Sequence, residues 1–150
     1  MEKMLSFIGD YSCKADSKFR VMVPASFRKA MVTSQQTVFV LRRNVFESCI
    51  DLYPYNEWES LVAGLRAKLN PFNREHARFL RDWFRGTLEV EMDGNGRILL
   101  PKRLLDELKI GKDMIFAGQD SKIEIWDSVV YEQMVVDEDS FAKLTQEVFK

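Results

Sequence analysis

The sequence contains few of the side chains that most often build catalytic, metal or disulfide sites. It has one histidine, His76, and two cysteines, Cys13 and Cys49, among 150 residues. The cysteines lack Cys-x-x-Cys spacing and a neighbouring histidine cluster, so neither a zinc site nor a disulfide framework is indicated. His76 has no Ser or Cys nucleophile in an elbow motif nearby and is predicted to lie on a helix face. We therefore expect no catalytic role, no metal and no cofactor, and reduced thiols.

Long apolar runs are also missing. No stretch approaches the ~20 apolar residues that a membrane-spanning helix needs. The N-terminus reaches the acids Glu2 and Asp10 too soon for the apolar core of a signal peptide. With 46% hydrophobic and 30% charged residues, the composition is typical of a soluble globular protein. We expect a cytoplasmic protein with no membrane partner and no small-molecule substrate.

The formal charge of −1 hides an uneven distribution of charged residues. Residues 1–85 carry 14 Lys and Arg against 9 acids, whereas the remainder carries 8 against 14. Between Lys14 and Arg43 the only acid is Asp16, which leaves that stretch at +6. Such a stretch is a plausible footprint for phosphates, although a solvated face balanced by acids elsewhere in the fold is about as common.

Two short stretches share one pattern. Asp16-Ser17-Lys18-Phe19-Arg20 and Asp93-Gly94-Asn95-Gly96-Arg97 each place an Arg four residues after an Asp. Each is followed by an apolar, strand-like run and a proline, Pro24 or Pro101, and the two patterns lie 77 residues apart. Further on, Ile50–Tyr53 matches Ile123–Trp126 at a spacing of 73. The chain is therefore interpreted as a duplicated unit of about 75 residues.

Local patterns predict short strands and helices in each copy. In the first copy, strands are predicted at residues 5–14, 20–23, 37–41 and 49–53, with Arg42-Arg43-Asn44 as a turn. Asn73 and Asp127 are candidate helix N-caps. Two units of about four strands make small sheets on their own. We therefore expect strands of one copy to pair with those of the other in an intertwined barrel with pseudo-two-fold symmetry.

The two Asp-x-x-x-Arg motifs allow several interpretations. They can be cross-turn ion pairs, which stabilise an exposed loop only slightly. Alternatively, a tight loop projects Arg20 toward a nucleic-acid groove, where a guanidinium can pair with guanine O6 and N7. A catalytic dyad of Asp16 and Asp93 is disfavoured, because the Arg beside each acid keeps it ionised. A calcium loop at Asp93 fails because Arg97 falls at a ligand position.

These motifs together resemble the MraZ family of bacterial transcriptional regulators, with its AbrB-like (SpoVT-AbrB) swapped-hairpin fold. The resemblance runs from Met4 to about Met134 and also rests on Leu52-Tyr53-Pro54, Trp58, Asn70-Pro71, Phe84-Arg85-Gly86 and Glu124-Ile125-Trp126-Asp127. It implies a mainly β fold with flanking helices, in which two such units form a double-split β-barrel. The expected divisions are a first unit at 5–55, a helical connection at 56–83, a second unit at 84–128 and a C-terminal helical tail at 129–150.

The resemblance also implies a function and a set of site residues. It points to a sequence-specific DNA-binding regulator that forms a ring homo-oligomer and is associated with the nucleoid. Such a ring is expected to bind direct repeats in double-stranded DNA upstream of the division and cell-wall gene cluster, including its own gene. By position, Arg20 is expected to contact bases, Lys18 a phosphate, and Arg97 to be a weaker counterpart of Arg20. Supporting contacts are assigned to Lys14, Arg28 and Arg85.

Two residues depart from the family pattern, and one alternative function stays open. Ile8, in Phe7-Ile8-Gly9, stands where the family has Arg, which removes one basic contact from the first copy. Phe19 stands where the family has Gly, so we expect the geometry of the first loop to differ from that of relatives. The alternative function is a ring-forming protein-interaction scaffold whose acidic C-terminal half binds partner proteins.

Overall fold

The computed structural model describes residues 5–150. The strands in this part of the chain are β1 (Asp10–Lys14), β2 (Arg20–Met22), β3 (Val38–Arg43), β4 (Ile50–Pro54), β5 (Leu88–Glu91), β6 (Arg97–Leu99), β7 (Asp113–Gln119) and β8 (Lys122–Asp127). The helices are α1 (Ala25–Thr33), α2 (Tyr55–Lys68), α3 (Arg74–Phe84), α4 (Lys102–Leu108), α5 (Ser128–Gln133) and α6 (Glu138–Val148). None of the helices in residues 5–150 is long and apolar enough to cross a membrane.

The strands form one large sheet and one small ribbon, both antiparallel. The large sheet has six strands in the order β1-β7-β8-β4-β3-β5, and β2 pairs with β6 in a separate two-stranded ribbon. Strands from the two halves of the chain are therefore neighbours, as expected. Moreover, the strand order is symmetric. In the duplication, β1 corresponds to β5, β3 to β7 and β4 to β8, and exchanging the strands of each pair reverses the order of the sheet. In the middle of the sheet, Asp51 of β4 lies opposite Glu124 of β8.

Two parts of the expected fold class need correction. Within residues 5–150 the six-stranded sheet is open, with β1 and β5 at its edges, so the strands do not close into the expected barrel. The molecule is also not mainly β, because the six helices together contain more residues than the eight strands. It is a mixed α/β fold built on a large antiparallel sheet.

Local signals at the helix starts work as predicted. Asn73 accepts hydrogen bonds from the N–H groups of Glu75 and His76 at the start of α3, and Asp127 accepts one from Val130 at the start of α5. Both predicted N-caps are therefore confirmed. Pro24 and Pro101 stand immediately before α1 and α4, where their fixed φ fits the entry into a helix.

One predicted turn is misplaced. β3 continues to Arg43, so a turn at Arg42–Asn44 is wrong. The chain turns after it, where Asn44 Oδ1 accepts the N–H groups of Phe46 at 2.8 Å and Glu47 at 2.9 Å. The strand is longer than predicted because Arg42 and Arg43 of β3 pair with Asp51 and Ile50 of β4.

The core lies on both faces of the large sheet. On one face, the sheet packs against the ribbon, α1 and α4 in a cluster whose largest fully buried members are Phe7, Phe27, Phe39, Phe116, Met31, Leu41, Ile50, Leu52, Ile98, Leu100, Met114 and Ile123. On the other face, Val40 packs against Trp58 and Val62 of α2. Residues 39 and 40 belong to opposite faces because successive side chains in a strand alternate. The ribbon and α2 therefore lie on opposite sides of the sheet.

Candidate nucleic-acid interface

The first Asp-x-x-x-Arg motif folds as a closed loop around the carboxylate of Asp16. Its Oδ1 accepts the backbone N–H groups of Lys18 at 2.8 Å and Arg20 at 3.0 Å. Its Oδ2 accepts the Nε of Arg20 at 3.0 Å. The backbone closes the same loop, because the Asp16 N–H donates to the Arg20 carbonyl at 2.9 Å. One carboxylate thus sets both the shape of the loop and the position of the guanidinium.

The second motif repeats this arrangement with different intervening residues. Asp93 Oδ1 accepts the N–H groups of Asn95 and Arg97, both at 2.9 Å, and its Oδ2 accepts the Nε of Arg97 at 3.0 Å. The Asp93 N–H donates to the Arg97 carbonyl at 2.9 Å. The ion-pair interpretation of both motifs is therefore correct as geometry, and it explains why Asp and Arg keep a spacing of four.

The electrostatics of the loops keep the acids charged. The pKa of each of Asp16 and Asp93 lies below its ordinary value of 3.8, chiefly because the backbone N–H of the following Arg donates to the carboxylate. The ion pair with the same guanidinium lowers it further. Both acids are therefore ionised at neutral pH. Each arginine has one nitrogen committed to the loop, and its two terminal nitrogens make no hydrogen bond to residues 5–150.

The pairing of β2 with β6 brings the two arginines to one surface. Arg20 lies opposite Leu99, Val21 opposite Ile98, and Met22 opposite Arg97. Because directly opposite residues share a face, Val21 and Ile98 point together into the core, where each is 1% exposed. The other four side chains form the outward face of the ribbon. The Arg20 and Arg97 side chains are 36% and 30% exposed, so neither is buried in the interior.

Phe19 adopts a backbone conformation similar to that of Gly96. It has φ 63°, and Gly96, its counterpart, has φ 80°. A positive φ is uncommon for a bulky residue, and Phe19 adopts it while its ring packs against the main core cluster. Phe19 therefore uses the same left-handed backbone region as the glycine of the second loop, and the expected difference from the loops of relatives stays a prediction. A Cβ at Gly96 would collide with the Cδ of Arg28, so a side chain there requires the Arg28 side chain to move.

The supporting basic residues are not all at the ribbon. Lys18 is exposed within the first loop, and Lys14 is exposed at the end of β1, two residues before Asp16. Arg28 is half-buried, lies over Gly96, and donates from Nε to the Val23 carbonyl at 2.9 Å. Arg85 lies elsewhere, on the wall of a cavity of about 700 Å³ that also touches Arg43, Asp82 and Arg103. Lys18 and Arg28 therefore lie beside the loops that carry Arg20 and Arg97, whereas Arg85 lines a different cavity.

Arg42 is removed from the basic stretch by burial. It is 6% exposed, and its guanidinium carbon lies 3.9 Å from the centroid of the Trp83 ring. Its Nε donates to the Trp83 carbonyl at 3.3 Å, and its Nη1 donates to the Arg43 carbonyl. Burial lowers the pKa of Arg42. This arginine therefore holds α3 against the sheet and cannot reach a phosphate.

The sequence predictions missed three residues near the loops. Lys102, the first residue of α4, lines a groove of about 530 Å³ together with Lys18, Phe19 and Leu99. Met22 and Leu99 complete the outward face of the ribbon. The signal for all three was available in the duplication, since they flank the repeated Arg and Pro, but only the pairing of β2 with β6 shows that they share one surface.

One acidic cluster on the other face of the sheet has the spacing of metal ligands. In residues 5–150, ligand atoms of Cys49, Asp51 and Glu124 all lie within 4.8 Å of one another. However, the ammonium of Lys122 already lies 2.9 Å from Asp51, and the Asn44 amide donates to both acids. Burial also raises the pKa of the Cys49 thiol strongly, which disfavours the thiolate that a metal requires. We interpret the cluster as a buried ion pair.

Fold and site together define a mixed α/β protein that presents two near-identical arginine loops on a short exposed ribbon. Comparison with known families identifies the family of this chain. The family model described as "MraZ protein, putative antitoxin-like" matches residues 6–82 and again residues 83–150. The chain belongs to the MraZ family.

Individual relatives agree over almost the whole length. The chain is 40% identical to the Transcriptional regulator MraZ of Christiangramia forsetii over 97% of this chain and 94% of the relative. It is 37% identical to the protein of the same name from Bacteroides fragilis, over 98% and 93%. A more divergent relative with that name, from Nitrosococcus oceani, is 35% identical over 95% and 96%.

Proposed function

We propose that the protein is a sequence-specific DNA-binding transcriptional regulator that reads DNA with the outward face of the β2–β6 ribbon. The observation that carries this proposal is the pair of arginines on that face, each held by its own loop carboxylate. The names of the relatives, all transcriptional regulators, support it. Because this activity takes place on chromosomal DNA, we also propose a cytoplasmic protein associated with the nucleoid.

The geometry of each loop suits base recognition. A guanidinium fixed through Nε loses little side-chain freedom when its two terminal nitrogens pair with guanine O6 and N7, which is the commonest specific contact in the major groove. Lys18 and Lys102 flank the first loop and are placed to contact phosphates, which position a protein on DNA. Lys14 and Arg28 are supporting contacts, and Arg85 contributes only if the DNA extends toward the end of α3.

We propose further that the fold consists of two AbrB-like swapped-hairpin units, at 5–55 and 84–128, related by a pseudo-two-fold axis. The helical connection is 56–83 and the helical tail is 129–150. Support comes from the symmetric strand order and from the Val21–Ile98 pair, since these two residues occupy the same position in the two copies. An axis between them would give the two arginine loops equivalent positions about one centre on the DNA.

We also propose that the protein acts as a ring homo-oligomer on direct repeats upstream of the division and cell-wall gene cluster, including its own gene. One ribbon covers few base pairs, and a ring that places neighbouring ribbons on repeats ~10 bp apart gains affinity through effective concentration. An exposed apolar face supports self-association. On α6, Phe141, Leu144 and Val148 are 62%, 63% and 77% exposed.

A mobility-shift titration with the DNA upstream of the protein's own gene tests the central proposal. Arg20→Ala is expected to weaken binding by about 5- to 150-fold, corresponding to a lost bidentate contact of ~1–3 kcal/mol, with a smaller loss for Arg97→Ala. Arg66→Ala is the matched control, since Arg66 is exposed on α2, across the sheet from the ribbon. Wild-type binding should also weaken steeply with salt. Equal binding by Arg20→Ala and Arg66→Ala would refute the role of the loop.

The alternative is a ring-forming protein-interaction scaffold, favoured by the same exposed face of α6. It predicts that the protein recovers one stoichiometric protein partner and retards no DNA. The mobility-shift result therefore decides between the two functions.

A further inference from the structure

Of the four side chains on the outward face of the ribbon, two are charged and two are apolar. Between the two arginines lie Met22, which is 44% exposed, and Leu99, which is 58% exposed. Folding does not require apolar residues there, because Val21 and Ile98 already supply the buried face of both strands. Single exposed apolar residues are ordinary on a protein surface. Here two of them occupy equivalent positions in the two copies and stand opposite the two arginines that the proposed function assigns to bases.

The dimensions of this face fit the floor of a major groove. Paired strands are ~4.8 Å apart and alternate residues of a strand are ~6.8 Å apart, so the four side chains cover an area of roughly 5 by 7 Å. The major groove is ~12 Å wide and admits a two-stranded ribbon. Base pairs stack every ~3.4 Å, so the face spans about two to three base pairs. The apolar side chains therefore meet bases adjacent to those that the arginines meet.

The chemistry of the groove then limits what Met22 and Leu99 can contact. Among the groups that base pairs present in the major groove, the hydrogen-bond donors and acceptors are polar, and the thymine C5-methyl is the apolar group. An apolar side chain gains from contact with that methyl and desolvates a polar base edge without compensation. Methionine is flexible enough to adapt its thioether to a methyl nearby.

We propose that Met22 and Leu99 are specificity-determining residues that contact thymine methyl groups beside the guanines bound by Arg20 and Arg97. This inference rests on the proposed DNA-binding function and adds a second type of base contact to it. The target sequence is thus expected to combine guanines with neighbouring thymines, in two related arrangements, because the ribbon carries an Arg and an apolar residue on each strand.

The test compares two probes that differ only in the methyl group. The DNA upstream of the protein's own gene is amplified once with thymidine triphosphate and once with deoxyuridine triphosphate in its place. Each product is then titrated with the full-length protein. Wild-type protein is expected to bind the deoxyuridine probe about tenfold more weakly, which corresponds to two lost methyl contacts. The double variant Met22→Ala/Leu99→Ala is expected to bind both probes with equal affinity within twofold.

A control variant separates the methyl contact from general effects of deoxyuridine on duplex flexibility. Phe72→Ala removes an apolar side chain that is 96% exposed and lies between α2 and α3, so it should keep the wild-type ratio between probes. Any change in DNA flexibility acts on all variants alike. The difference between the ratio for wild type and the ratio for the double variant therefore measures the methyl contact alone.

The outcomes separate this inference from the function on which it rests. If wild type binds both probes equally while Arg20→Ala binds both more weakly than wild type, the thymine contact is overturned and the DNA-binding proposal stands. If the probes are equal and the double variant loses its oligomeric mass, the ribbon face is a contact between copies of the chain, which also overturns the inference. If wild type retards neither probe, the proposed function itself fails.

Discussion

Phe19 and Gly96 occupy the same position in the two loops, and each accepts a hydrogen bond from a residue that follows the other loop. The Phe19 carbonyl accepts the N–H of Leu100 at 2.9 Å, and the Gly96 carbonyl accepts the N–H of Val23 at 3.0 Å. Each loop is thus hydrogen-bonded to the strand that leaves the other loop. Both residues have a positive φ, 63° and 80°, and in this conformation the carbonyl meets the opposite strand while the Asp closes the loop.

The strained position of Phe19 predicts an unusual order of stability. A left-handed conformation costs a non-glycine residue ~1–2 kcal/mol, and it is worst for β-branched side chains. Phe19→Gly is therefore expected to be more stable than Phe19→Val by ~1–2 kcal/mol in the free energy of unfolding, measured by urea denaturation. Burial of apolar area alone predicts the opposite order, so a more stable Phe19→Val would show that the positive φ carries no strain.

The inward and outward faces of the ribbon are expected to respond differently to truncation. Ile98→Ala should lower the free energy of unfolding by ~2–5 kcal/mol, because it leaves a cavity in the main cluster. Leu99→Ala, at the next residue, should change it by no more than ~0.5 kcal/mol, because the side chain is exposed. Chemical denaturation of the two variants measures this contrast, and equal losses would mean that the ribbon is covered on both faces.

The pKa values of the loop acids predict a dependence of stability on pH. Because the pKa of Asp16 and of Asp93 is lowered on folding, both contribute stability above their unfolded value near 3.8. That contribution is lost as the pH falls through the folded pKa values, and neither acid changes stability between pH 5 and 8. Carboxyl-carbon NMR titration should give midpoints below 3.8 for both residues.

The Arg20→Ala variant separates the backbone and side-chain causes of the lowered pKa of Asp16. In Arg20→Ala, the midpoint of Asp16 should rise only in part, since the backbone N–H of residue 20, the largest cause of the shift, remains. The midpoint of Asp93 should not move, because its partners lie in the other loop. A full return of Asp16 to 3.8 would assign the shift to the guanidinium instead.

The exposed face of α6 predicts how the protein assembles. Leu144→Glu places a charge among Phe141, Leu144 and Val148 and is expected to reduce the mass measured by light scattering after gel filtration. Gln146→Glu is the matched control, because it adds the same charge on the opposite side of the helix. An unchanged mass for Leu144→Glu would exclude this face from the subunit contact.

The sequence by itself determined the loops. An Asp can accept the N–H groups two and four residues later and still bind the following Arg, so the spacing in Asp16–Arg20 and Asp93–Arg97 was sufficient to predict the ion pair. The helix caps at Asn73 and Asp127 followed from equally local chemistry. The duplication also predicted that strands from the two halves would pair.

Only the tertiary structure decided which side chains lie beside those loops on the protein surface. Neighbours far apart in sequence placed Arg20 beside Leu99 and buried Arg42 under Trp83. No local preference specifies these outcomes, because they depend on which strand edges satisfy each other's hydrogen bonds and which side chains fill the core between them. The barrel was predicted from the need to pair strand edges. The sheet meets that need with six antiparallel strands while leaving β1 and β5 unpaired on their outer sides within the described residues.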